Sequence, residues 1–123
     1  MNYQHKQLAE GGWNKLSFFA QMANIGSEVE RAMKWKAKGN DDYSRLAFQR
    51  SLELLDLTTE DERNRERLKE LTRLREVLAD YFAYENIYGS SDAKWRNYFL
   101  AFNYAARKLN QDVNAYPKGV ADV

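Results

Sequence analysis

A chain of 123 residues with 19 Lys and Arg against 18 Asp and Glu has a net charge of +1, too small an excess for strong sequence-independent attraction to nucleic acid. No cysteine and a single histidine, His5, exclude disulfides and thiol chemistry and leave no ligand set for a nitrogen–sulfur zinc site, so no metal and no cofactor is expected. With 44% apolar and 14% aromatic residues and one proline, the composition is that of one folded helical domain, and no signal-like start or membrane-length apolar run occurs; the expected location is cytoplasmic.

Met1–Gly12 is polar and ends in two glycines, which predicts a flexible N-terminal arm over 1–12. Residues 14–38 have apolar positions at helical period, with Phe19, Met22, Ala23, Gly26, Met33 and Ala37 on one face and Phe18, Ile25, Val29 and Ala32 broadening it. Gly39 and Asn40 then offer a C-terminal stop and an N-cap, so the chain reverses at once. The next helix, 41–57, carries Tyr43, Leu46, Ala47, Leu54 and Leu57 on one side and Phe48, Leu52 and Leu55 on another, which marks it as a helix needing neighbours on both flanks. Thr59 to Glu62 has capping-box spacing and starts a third helix, 60–88, with Leu68, Leu71, Leu74, Leu78, Tyr81 and Phe82 inward. Gly89 followed by Ser90, Ser91 and Asp92 repeats the stop and restart. In the fourth helix, 91–113, Trp95, Tyr98, Phe99, Phe102, Ala105, Ala106, Leu109 and Val113 share a face, and Pro117 lies in a C-terminal tail, 115–123. Four helices of about 17 to 29 residues joined by short turns predict an all-α, up-and-down antiparallel four-helix bundle over 13–114.

Four charged residues fall on apolar faces: Glu30 on the first helix, Arg50 on the second, Arg75 and Glu85 on the third. Together they make a polar cluster, either a buried ion-pair network with Arg50 answering Glu30 or a ligand-binding pocket. No nucleophile accompanies them and no catalytic residue is assigned. A carboxylate-bridged dimetal site needs Glu-x-x-His pairs, and none occurs. The Arg-rich start of the third helix, with Tyr84, Tyr88 and Tyr104 as stacking faces, invites an RNA reading, yet residues 61–88 hold six basic and seven acidic side chains and no stripe of one sign. Trp35 falls among Asn24, Glu28 and Arg31 on the polar side of the first helix, where a tryptophan is a candidate partner contact; Trp13 and Phe18 extend that surface.

The runs WNKLSFFAQMANIGSEVERAMKWKAKGN, LELLDLT and LKELTRLREVLADYF resemble a small uncharacterised bacterial family of helical bundles, a resemblance that spans most of the chain and implies no activity. By architecture the chain is similar to HEPN-type bundles, whose RNase motif is an arginine followed four to six residues later by a histidine. His5 is preceded by no arginine, so that likeness implies a relative without RNase activity. Asp42, Tyr43, Ala47, Phe48, Leu52 and Leu54 look like the second helix of a tetratricopeptide repeat, but one copy cannot stack. The expected role is a protein–protein interaction module, self-associating or docking on another protein, with a bundle that binds a nucleotide or RNA segment through Arg50, Arg75 and nearby tyrosines as the alternative.

Overall fold

The computed structural model describes residues 12–112. It holds four α-helices, α1 (Phe18–Ala37), α2 (Asp41–Glu60), α3 (Leu68–Ala83) and α4 (Asp92–Asp112), and no strand among the described residues. They form a four-helix bundle in which α1 packs against both α2 and α4, and α2 against α3. The predicted arm, apart from Gly12, and the predicted tail lie outside the described residues, as does Val113.

Each helix start and stop has a local cause. Trp13–Lys15 is a separate 3-10 turn, because Ser17 adopts an extended backbone and its Oγ accepts the Ala20 N–H at 3.1 Å, so α1 begins only at Phe18. At the other end Gly39 takes φ +79° and Asn40 N–H donates to the Trp35 carbonyl while Gly39 N–H donates to that of Lys36. That pattern is a Schellman stop. Asn40 Oδ1 then accepts the Tyr43 N–H at 3.0 Å and opens α2.

The α2–α3 junction departs from the capping-box expectation. Thr58 and Thr59 turn their hydroxyls back to the carbonyls of Leu54 and Leu55, which carries α2 to Glu60. Asp61 is the cap instead, accepting the Arg63 N–H, and a 3-10 segment over Glu62–Arg67 precedes α3. α3 is also shorter than predicted, ending at Ala83. Buried Asp80 accepts the N–H groups of Ile87 and Tyr88 with its carboxylate, and Asn86 at φ +55° and Gly89 at φ +67° turn the chain into α4. Two residues in the left-handed region are incompatible with a continuing helix.

The core is formed by Met22, Ile25, Val29 and Met33 of α1, Ala47, Leu54 and Leu55 of α2, Leu71, Leu74 and Leu78 of α3, and Trp95 and Phe99 of α4. Gly26 sets the α1–α4 approach: a Cβ there would lie 2.7 Å from Phe99 Cγ. Tyr43 and Leu46, expected in the core, are instead 51% and 43% exposed.

Candidate partner-docking site

The charged residues that sequence reasoning grouped do not meet. Arg50 answers Glu28, not Glu30: its Nε donates to Glu28 Oε2 at 2.8 Å. Glu28, assigned to the polar side of the helix, is buried, and its second oxygen accepts Arg31 Nη1 at 2.9 Å. Glu30 pairs across the other seam with Arg96 of α4, through two parallel bonds of 2.8 and 2.9 Å. The Arg96 hydrogen bond holds the Glu30 carboxyl below the usual range. Arg75 is exposed and pairs with Asp56 at 3.0 Å. Glu85 is not on a helix at all; it is exposed in the loop after α3. Rotation about a helix axis identifies a side, but α1 has a neighbour on each side, and residues 28 and 30 diverge to different ones.

The aromatic candidates divide in the same way. Trp13 is not a surface residue: it is 1% exposed and donates Nε1–H to Thr58 Oγ1 at 2.9 Å. Phe18 is half-buried against Phe19 and Phe102, with the Arg67 guanidinium 4.0 Å from its ring centre. Trp35 remains partly exposed, in edge-to-face contact with Tyr43 at 4.9 Å, with Lys38 Nζ 5.1 Å from its ring centre.

Trp35 and Arg50, drawn from separate groups in the sequence, come together. With Tyr43 and Leu46 they line a cavity of about 190 Å³ on the α1–α2 seam. The tight stop at Gly39 folds α2 back along α1 and so places Trp35 beside Tyr43, equally far on the other side of the glycine. Tyr43, Leu46 and Arg50 recur at helical spacing along the adjoining edge of α2. Arg50 has one of its five N–H donors engaged with Glu28 and its side chain is 25% exposed. The exposed residues of α1 are Ser27, Arg31, Lys34, Lys36 and Ala37, with no acid among them; Arg31 stands on the cavity side, bonded to Glu28, whereas Lys34 lines the α1–α4 side and Lys36 lies over the Tyr81 ring. Lys38 follows at the cap. Lys38 and Arg31 thus set basic groups beside an aromatic cavity.

A second polar constellation was not foreseen. Buried Gln21 donates to the Trp13 carbonyl and to Asp61 Oδ2, and its Oε1 accepts from Asn64, which also donates to the Thr58 carbonyl. Arg63 closes it, donating to Asp61 Oδ2 and to the Leu16 carbonyl, both at 2.7 Å. Those bonds, led by Arg63 and then Gln21, overcome the effect of burial and lower the Asp61 pKa to about 2. Each side chain in this network is bonded within the fold, so it joins the 3-10 turn, α1 and the α2–α3 junction. The only signal in the sequence was a run of amide and hydroxyl residues on apolar faces, Gln21, Thr58 and Asn64.

Among the described residues there is no group of three or more His, Asp or Glu placed to hold a metal ion, and no helix long and apolar enough to cross a membrane. No protein-family model matches the chain, and neither a curated protein nor a solved structure matches it.

Proposed function

We propose that this chain is a non-catalytic protein-interaction module that uses the α1–α2 seam to hold an apolar side chain of another protein flanked by carboxylates. The observation that carries this reading is the meeting of Trp35, Tyr43, Leu46 and Arg50 around one cavity. Trp, Tyr and Arg are the residues in which interface binding energy concentrates. About 190 Å³ suits a single side chain, whereas small-molecule sites run from about 300 to 1,000 Å³. Lys38 over the Trp35 ring and Arg31 beside Glu28 favour an acidic flank and would speed encounter with it.

The test is calorimetric titration of the full chain with acidic peptides bearing one central leucine, phenylalanine or tryptophan. Micromolar binding that weakens with salt and falls about thirtyfold in Trp35→Ala supports the reading, since a hot-spot truncation costs about 2 kcal/mol or more. Equal affinity in Trp35→Ala and Arg50→Met would remove it. Stabilisation by mononucleotides or a short RNA, with no response to peptide, would favour the HEPN-like nucleotide-binding alternative. That alternative has lost one of its supports, because Arg75 stands on α3 with Asp56, on a different seam from Arg50. Native mass spectrometry of the same samples reads self-association.

A further inference from the structure

On the opposite side of α1, along its seam with α4, lies an open groove of about 440 Å³, within the size range of small-molecule sites. Buried Val29, Met33 and Phe99 form its apolar floor, and Leu100, 62% exposed, stands at its rim. Gly26 is part of the same lining, and the absence of a side chain there lets the two helices approach along the groove.

The rim is charged, and unevenly. Arg96 and Lys34 stand beside one carboxylate, Glu30, while Arg31, also in the lining, is bonded to Glu28. Arg96 gives Glu30 only its Nε–H and one Nη2–H, so three of its five donors remain for another acceptor. The Arg96 side chain is half exposed, and Lys34 is close enough to Glu30 to lower its pKa.

Trp95 lines the groove, is 6% exposed, and its Nε1 is the one buried side-chain polar atom among the described residues with no hydrogen-bond partner. Buried donors are ordinarily paired. The other buried tryptophan, Trp13, has its partner in Thr58. An apolar floor and a cationic rim with free donors are complementary to one kind of molecule, an apolar body with an anionic oxygen head, and Trp95 in the wall is placed to report what binds there.

We propose that the α1–α4 groove binds a small amphipathic carboxylate, its chain over Val29, Met33 and Phe99 and its carboxylate on Arg96 and Lys34. The groove and the partner-docking cavity lie on different seams of α1 and share no lining residue.

The probe is decanoate below its micellar range, titrated into the full-length protein and followed through the tryptophan indole N–H resonances, with Trp95 assigned by Trp95→Phe. Saturable binding that moves the Trp95 resonance and leaves that of Trp13 in place is expected. Acetate, which lacks the chain, and decyltrimethylammonium, which reverses the charge, should not reproduce it. Arg96→Gln should weaken decanoate about tenfold or more, as expected for a charged hydrogen-bonding contact. Leu100→Asp, at an exposed position that the fold does not depend on, should weaken it as well by setting a like charge at the rim. A Trp95 resonance unmoved by millimolar decanoate, equal binding of the decyl cation, or parent affinity in both variants would overturn the assignment.

Discussion

Glu28 is a single buried carboxylate shared by two guanidinium groups, and the two sides of that arrangement are not equivalent. Arg50→Met removes one partner but leaves Arg31 on the other oxygen, so the loss is expected to be about 1 kcal/mol, near the value of a partly exposed charged hydrogen bond. Glu28→Leu strands two like charges side by side and is expected to cost more, about 2 to 3 kcal/mol. Urea melts of both variants check the order, and a larger loss in Arg50→Met would contradict it. The same comparison shows what could be read at this scale in advance. Arg50 was legible as an arginine requiring an acid; which acid was not, because Glu28 and Glu30 both lie on α1 and only the positions of α2 and α4 assign them.

The elements of the bundle were legible wherever the signal was local. Gly39 with Asn40, and Gly89 with Ser91, mark reversals through backbone conformations and caps that need no tertiary partner. The errors fall where a distant or competing bond intervenes. Thr59 had the spacing of a cap, but its hydroxyl bonds back to Leu55; residues 84–88 had no strong helix breaker, but Asp80 captures the loop amides. Asp80→Ala should therefore leave two loop N–H groups without an acceptor and cost about 1 to 2 kcal/mol, with faster hydrogen exchange at Ile87 and Tyr88 as its local signature. At the α1–α4 crossing, Gly26→Ala gains helix propensity of about 1 kcal/mol but drives a Cβ to 2.7 Å from the Phe99 ring. Overpacking of this kind costs about 1 to 3 kcal/mol, so a net loss in the urea midpoint is expected. A more stable Gly26→Ala protein would show that α4 can move away.

For the molecule as a whole, acid stability is expected to follow Asp61, whose carboxylate links α1, the Arg63 side chain and the α2–α3 junction. Its folded pKa is about 2 against an ordinary 3.8, so the native state binds the proton less readily than the unfolded chain. The resulting stabilisation is complete above about pH 4 and is lost as pH falls through about 2. Glu30, lowered by Arg96, acts in the same direction. Urea midpoints of the parent should decline over that window, and those of Asp61→Asn should be lower at neutral pH and flatter in acid; parallel profiles would count against Asp61 as the main acid-sensitive group.

Helical periodicity and the turn chemistry at Gly39 and Gly89 determined an all-α chain of four helices from sequence alone, because both act over a few residues of backbone. The association of Trp35 with Arg50, the separation of Glu30 from Arg50, the burial of Trp13 and Glu28, and the groove beside Arg96 were decided only by tertiary structure. Those features depend on which neighbour each side of α1 meets. That choice is set by close packing between helices, such as Phe99 against Gly26, and a helical wheel contains only one helix.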